Sequence, residues 1–360
     1  MPNIKRIILP ACMLAVILFF GCRSSASENA QPEETAVSAA VTAETESPVL
    51  PEPKKTDTAL RPLHVENGAL VNEAGETVQL RGVSTHGLAW FPEYVNKDAF
   101  RTLRDEWNVN AIRLAMYTAE SGGYCTGGNR EELLSVIDRG VQYTEELGMY
   151  VIIDWHILSD QSPLQHEAEA NAFFDELSKK YAGKPHVLYE ICNEPQNSPY
   201  TTVIRPYAER IIDVIRGNNN NAVILVGTNT WAQDIDEVIG QRLDDPNVMY
   251  TVHFYAATHK DGLRRKVERA LDAGIPVYIS ECSICDASGN GAIDYDSAEA
   301  WLALIRNRGL SFNAWSLCNK NESSALIRPE CRKLSGWNQE ELSEAGIWFR
   351  NAFLSFDAQG

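Results

Sequence analysis

Eight short apolar runs recur along the chain, each followed by an amphipathic helical pattern or a long loop. The runs are Val78–Val83, Asn110–Ala115, Tyr150–Trp155, Val187–Cys192, Ala222–Gly227, Val248–His253, Val277–Ser280 and Phe312–Ser316. Helical spacing of apolar residues falls between them, over Asp98–Trp107, Arg130–Leu147, Ala168–Tyr181, Ile204–Arg216, Leu263–Ala273 and Ser297–Arg308. Runs that are apolar on both faces belong to parallel strands covered on both sides, and parallel strands need long crossovers. Eight such units in one body from Leu63 to Phe356 predict an α/β fold of the (β/α)8 TIM-barrel type, a single domain over residues 63–357. A doubly wound open sheet is the competing architecture. The chain has no GxGxxG after the first strand and no GxxxxGK[ST], so the main nucleotide-binding motifs are missing. Leu63–Val71 is expected to form a hairpin with Val78–Leu80 around Glu73-Ala74-Gly75 and to cap the bottom of the barrel.

The segment ahead of that body has a different character. Lys5 and Arg6 precede an apolar run from Ile7 to Phe20, too short to span a bilayer and suited to an export signal. The run ends in Gly21-Cys22, which resembles a bacterial lipobox; Phe19 and Phe20 depart from the usual Leu-Ala. The resemblance implies cleavage after residue 21, acylation of Cys22, and an exported protein anchored to a membrane facing the periplasm or cell exterior; a plainly secreted protein is the alternative. Ser24–Pro53 carries six Glu and no Gly, aromatic or basic residue. Such a stretch buries too little apolar surface to offset its ordering entropy, so residues 22–62 read as a flexible acidic tether.

The net charge is −17. That excess of acid argues against a nucleic acid and against docking on anionic lipid other than through the anchor. A monomer is expected. Barrel chemistry collects at the C-terminal ends of strands. Those ends carry His86, Arg113 and Tyr117, His156, Asn193-Glu194, Trp231, His253 and Tyr255, Glu281, and Trp315. Two carboxylates at a barrel mouth suit glycosidic hydrolysis, in which one is protonated to serve the leaving oxygen and the other ionised. Pro195 biases Glu194 to extended backbone. Asn193 is placed to bond a sugar hydroxyl, and Arg113 to keep Glu281 ionised. Trp90, Trp231 and Trp315 offer flat faces for pyranose rings, whereas Trp107 and Trp301 sit on helices and read as core. Asp154, His156 and His253 are types that bind zinc, but no HExxH occurs and no metal or other cofactor is expected. His156 and His253 are expected to be neutral and to bond sugar hydroxyls or the glutamates. His64, His166, His186 and His259 have no constellation around them and read as ordinary structural residues.

Arg81-Gly-Val-Ser-Thr-His86-Gly-Leu-Ala-Trp90, Asn110-Ala-Ile-Arg113-Leu-Ala-Met-Tyr117, Asp154-Trp-His156, Tyr189-Glu-Ile-Cys-Asn193-Glu194-Pro195, His253-Phe-Tyr255, Ile279-Ser-Glu281 and Ala314-Trp315-Ser-Leu together resemble glycoside hydrolase family five. The run from Trp315 to Glu322 resembles its bacterial endoglucanase branch. The resemblance implies a retaining endo-β-1,4-glucanase acting on cellulose or a related β-glucan by double displacement, with Glu194 as acid/base and Glu281 as nucleophile. Arg113 and Tyr255 would bond the nucleophile, and Asn193 the 2-hydroxyl at the cleavage point. His156 and His253 would line the centre, while His86, Trp90, Tyr117, Trp315, Lys320 and Glu322 would bind glucosyl units on the non-reducing side. A cis peptide at Trp315–Ser316 is also implied. Cys282 departs from the pattern, since an aromatic residue usually follows the nucleophile. Cys282 and Cys318 lie at neighbouring strand ends where they are able to pair; as a nucleophile, the Cys282 thiol would be opposed by Glu281. A mannanase, xyloglucanase or mixed-linkage glucanase, and a glycan-binding protein without activity, are the alternatives.

Overall fold

The computed structural model describes residues Leu60–Phe356. The signal segment, Cys22 and the tether up to residue 59 lie outside the described residues.

Eight parallel strands close into a barrel: β3 (Arg81–Thr85), β4 (Ala111–Tyr117), β5 (Tyr150–His156), β6 (Val187–Glu190), β7 (Ile224–Gly227), β8 (Val248–Tyr255), β9 (Val277–Ser283) and β10 (Phe312–Leu317). β10 returns to pair with β3, which leaves no free edge. Helices Lys97–Trp107, Arg130–Leu147, Glu167–Lys180, Arg205–Gly217, Asp261–Asp272 and Tyr295–Arg308 lie within one or two residues of their sequence-derived positions at most ends. Their ends follow from local chemistry. Asn96, Asn129 and Asp294 accept the amides of Ala99, Glu132 and Ser297 at three N-termini. Gly148 and Gly309 take left-handed backbone just past two C-termini. After β7 the sequence supplies only the short turns Asn229–Ala232 and Ile235–Val238 instead of a full crossover helix. A further helix, Glu344–Leu354, closes the body and was not foreseen.

Two expectations need correction. The first barrel strand begins at Arg81, not Val78. The hairpin consists of β1 (Leu63–Glu66) and β2 (Ala69–Asn72), and it turns at Asn67-Gly68. Both turn residues have positive φ, which Asn and Gly tolerate best, so the Asn-Gly pair outcompetes the later Glu73-Ala74-Gly75 turn. Thr77 adds one bridge to Val71. The hairpin does plug the barrel floor, because Leu63 and Leu70 pack with Leu80, Ala111, Ile152, Leu188 and Leu225.

The larger core lies between barrel and helices, where Val151, Ile153 and Trp155 meet Phe173, Phe174 and Leu177. Trp107 and Trp301 are fully buried, as their helical positions imply. One close approach matters for the upper rim. A Cβ on Gly227 would lie 2.0 Å from the carbonyl oxygen of Cys192 and 2.6 Å from that of Asn193. Both are backbone atoms and cannot swing aside. Gly227→Ala should therefore destabilise the fold by about 1–3 kcal/mol and displace the segment that leads to Glu194. Thermal melting with a turnover assay checks this; an unchanged melting temperature would show that the rim yields freely.

Candidate active site

The C-terminal ends of the strands surround a cleft of about 540 Å³. His86, Tyr117, His156, Glu194, Trp231, His253, Tyr255, Glu281, Trp315, Lys320 and Glu322 all line it. Trp90 stands beside it, its ring 4.6 Å from that of Tyr117 and 5.7 Å from that of His86. Trp90 and Trp231 remain 38% and 43% exposed, a large apolar face each left to solvent. Arg113 and Asn193 lie beneath the cleft and are fully buried.

Arg113 is the hub. Its Nε donates to Glu190 Oε2 at 2.7 Å, Nη1 to Glu281 Oε2 at 3.2 Å and to Ser84 Oγ at 3.3 Å, and Nη2 to Asn193 Oδ1 at 2.6 Å. Asp154 Oδ2 also lies 3.0 Å from Nη2. Burial works against the guanidinium charge, but the acidic side chains of Asp154, Glu190 and Glu281 around it outweigh burial and hold the proton more firmly than usual. Asn193 spends both ends of its amide on the protein, since its Nδ2 donates to the Ile157 carbonyl at 3.0 Å.

The two cleft carboxylates have different partners. Glu281 Oε1 accepts from Tyr255 Oη at 2.7 Å, in addition to the Arg113 bond. As expected, Arg113 favours its charged form, with His253 and Tyr255, but burial, helped by Glu194, exceeds their pull and moves the carboxyl above the usual range. Glu194 Oε1 lies 2.8 Å from His253 Nδ1. One oxygen each of Glu194 and Glu281 and a ring nitrogen of His253 fall within 4.8 Å of one another.

Behind His253 runs a chain that the sequence reading did not include. Ser280 Oγ donates to Glu190 Oε1 at 2.7 Å, so toward His253 Nε2, 2.9 Å away, it acts as acceptor. Nε2 therefore carries hydrogen, and Nδ1 is left facing Glu194. Burial alone would lower the His253 pKa, but the Glu190 carboxylate 3.8 Å from Nε2, the bond to Glu194 and the charge of Glu281 raise it to about 10. The expectation of a neutral His253 is thus overturned. His156 goes the other way: burial first, then Arg113 and His253, push it well below the ordinary value. Its Nδ1 lies 2.6 Å from Asp154 Oδ2, and its ring stacks on Trp315 at 5.2 Å. Asp154, His156 and His253 do not converge on one point, since Asp154 and His156 pair with each other.

His86 sits among Trp90, Phe91, Tyr117 and Trp315. Its Nε2 faces Glu322 at 3.6 Å and Lys320 at 3.3 Å, and Lys320 bridges to Glu322 at 2.6 Å. Trp231 is presented by unusual backbone: Thr230, Trp231 and Ala232 all have positive φ near 55°. This left-handed turn is costly for Thr and Trp, and the Trp231 amide is held by the Pro195 carbonyl at 3.2 Å. The Trp315–Ser316 peptide is cis.

His259 corrects another expectation. It lines the cleft, and its Nδ1 accepts the Tyr255 amide at 2.8 Å, so it supports the end of β8. Its signal in the sequence was weak, a lone His four residues after Tyr255. The six cysteines of the body are all free thiols, so Cys282 and Cys318 are not joined. Burial, with Glu281 beside it, pushes the Cys282 thiol far above its usual range, which rules against a thiolate there.

The raised His253 pKa has a linkage consequence. The folded state binds this proton more tightly than the unfolded state. The stabilisation is complete below the unfolded value of about 6.5 and is lost as pH rises toward about 10. The stability difference between wild type and His253→Gln should shrink across that window in urea unfolding. A difference that stays constant from about pH 6.5 to about pH 10 would mean that the folded state does not retain this proton.

Comparison with known proteins agrees with this architecture. Residues 71–321 match the family model described as cellulase (glycosyl hydrolase family 5). Endoglucanase A of Butyrivibrio fibrisolvens is 46% identical over 289 residues, covering 79% of this chain and 67% of that protein. Endoglucanase 5 of Pectobacterium carotovorum subsp. carotovorum is 44% identical over 289 residues, covering 80% of this chain but 56% of its own length. The chain thus spans between about half and two thirds of these relatives. The solved catalytic domain of Thermobifida fusca endoglucanase Cel5A, in complex with cellotetraose, superposes with a TM-score of 0.77 at 31% identity, covering 81% of this chain and 97% of that one. By sequence and by fold, the chain belongs to the cellulase family, glycosyl hydrolase family 5.

Proposed function

We propose that this protein is a retaining endo-β-1,4-glucanase that cuts cellulose or a related β-glucan. The observation that carries the reading is the close approach of Glu194 and Glu281, within 4.8 Å, on separate partners. Retaining enzymes hold their carboxyls about 5–5.5 Å apart and inverting ones about 6.5–9.5 Å, because the latter must admit a water. The family's endoglucanases, and the cellotetraose complex of one member, point to the same substrate class.

In this reading Glu281 attacks the anomeric carbon, held in line by Tyr255 and Arg113. Glu194 protonates the leaving oxygen and then takes a proton from water to release the glycosyl enzyme. His253, 2.8 Å away, holds a proton beside Glu194 throughout. His86, Trp90, Tyr117, Trp315, Lys320 and Glu322 bind glucosyl units on the non-reducing side, and Trp231 offers a further ring face. Asn193 orients through Arg113, with one amide hydrogen left for a sugar hydroxyl.

The proposal includes location. Lys5-Arg6, the apolar run and Gly21-Cys22 support export and acylation at Cys22, with the acidic stretch to residue 62 spacing the barrel from the membrane. Cys22→Ala should move the enzyme from the membrane to the soluble fraction; retention on the membrane would remove the anchor from the reading.

Glu194→Gln and Glu281→Gln should each lower turnover on carboxymethylcellulose by at least about a hundredfold with the melting transition preserved. NMR of early products should show the β anomer first. Near-wild-type activity in either variant, or initial α product, would overturn the double displacement. Product profiles on cellulose, mixed-linkage glucan, xyloglucan and mannan decide among the β-glycans, and no release from any of them would leave a binding protein.

A further inference from the structure

Three buried carboxyls contact the one guanidinium of Arg113, and they are not bonded alike. Glu190 takes an aligned hydrogen bond on each oxygen, from Arg113 Nε and Ser280 Oγ. Glu281 does the same, from Arg113 Nη1 and Tyr255 Oη. Both have the pattern of a carboxylate. Asp154 does not. Its Oδ1 is buried with no hydrogen-bond partner, and its Oδ2 has only His156 Nδ1 at 2.6 Å besides a flanking contact with Arg113. Nη2 makes its aligned hydrogen bond to Asn193 Oδ1 instead. An ionised carboxylate with one bare oxygen in a site closed to water is among the costliest arrangements a protein can hold.

We propose that Asp154 is a positioning residue that keeps its proton at neutral pH, donates it to His156 Nδ1, and so fixes His156 Nε2–H as a hydrogen-bond donor at the glucan cleft. The role at the cleft rests on the glucanase reading; the proton itself does not.

The groups that face Asp154 come from four other strands. Arg113 on β4 favours the charged form, while Glu190 on β6 and Glu281 on β9 oppose it; His253 on β8 favours it, and burial exceeds every one of them in the direction of the neutral acid. His156, on the same strand, has little capacity to take the proton, because it is buried and Arg113 and His253 repel a second charge. The hydrogen therefore stays on Asp154 Oδ2 with Nδ1 as acceptor. The ring is neutral, its only hydrogen is on Nε2, and the tautomer is set from below. Trp315 stacks on the ring and Tyr117 packs against it at a tilt, 5.2 and 4.1 Å away, and together they hold its orientation. The result is a donor of fixed polarity toward a sugar hydroxyl, unaffected by pH where an unsupported histidine would titrate.

The test is nitrogen NMR of the full chain labelled at histidine, with His156→Gln assigning the signals. Between about pH 5 and about pH 8, His156 should show a bare, pyridine-type Nδ1 and a protonated, pyrrole-type Nε2, with no titration. A protonated Nδ1 with a bare Nε2, or two protonated nitrogens, would place the charge on Asp154 and overturn the proposal. Asp154→Asn, whose amide still donates, should keep that pattern. Asp154→Ala should let His156 titrate and raise KM for cello-oligosaccharides about tenfold with a smaller change in kcat. An Asn variant that titrates like the Ala variant also overturns it. The spectra are recorded without substrate, so they read the proton whether or not the protein cleaves β-glucan. Loss of the glucanase reading, through an active Glu281→Gln, would leave them intact.

Discussion

The buried guanidinium of Arg113 is the interaction on which the rest of the site depends. It rises from β4 and touches groups on β3, β5, β6 and β9, so one side chain ties together five of the eight barrel strands at the level just below the cleft. Taking such a charge out of water costs several kcal/mol, recovered only if the partners are complete and aligned. The partners are in excess: three carboxyls meet one cation, with a fourth, Glu194, above them. Low dielectric does not permit all four to ionise on the strength of one arginine, so the cluster must import positive charge or retain protons. His253 imports it, while burial, with Glu194 nearby, raises the pKa of Glu281.

Two histidines within the same cleft thus end in opposite states for the same underlying reason. His253 is surrounded by Glu190, Glu194 and Glu281, and their field overcomes its burial. His156 is buried to a similar degree but faces Arg113 and an acid already short of donors, with aromatic rings on its flanks. Desolvation decides its state. Residue type fixes neither outcome; the balance of burial against the surrounding charge does.

Much of this was legible in the sequence because barrel strands are regular. The apolar runs located every barrel strand, and counting to their ends found Glu194, Glu281, Arg113, Tyr255 and the cleft aromatics without reference to coordinates. What escaped was of two kinds. Glu190 and Ser280 each sit one residue inside a segment singled out for another residue, and their importance comes from a contact across the barrel between β6 and β9, 90 positions apart. Sequence spacing carries no trace of such a pairing. Protonation also escaped, since His156 and His253 look equivalent as letters following apolar runs. The hairpin was misplaced for a simpler reason: two turn signals compete within ten residues, and the Asn-Gly pair is the stronger.

Alternation along the strands explains why the departure at Cys282 leaves the site unharmed. Successive side chains of a strand point to opposite faces. Glu281 faces the barrel interior, so Cys282 must face the helices, and there its thiol reaches the Asn313 carbonyl at 3.3 Å within the outer core. The same parity operates on β5. Asp154 and His156 share the inner face, one above the other, while Trp155 between them packs outward against Phe173 and Tyr124. A vertical pair two residues apart is the shortest route by which a barrel can support a cleft residue from its own strand. It needs no loop and no second element, only an inward position occupied by a polar group where a barrel interior would otherwise carry Val or Ile. That substitution is costly unless the group below serves the one above, and the 2.6 Å contact between Asp154 and His156 is what makes it tolerable.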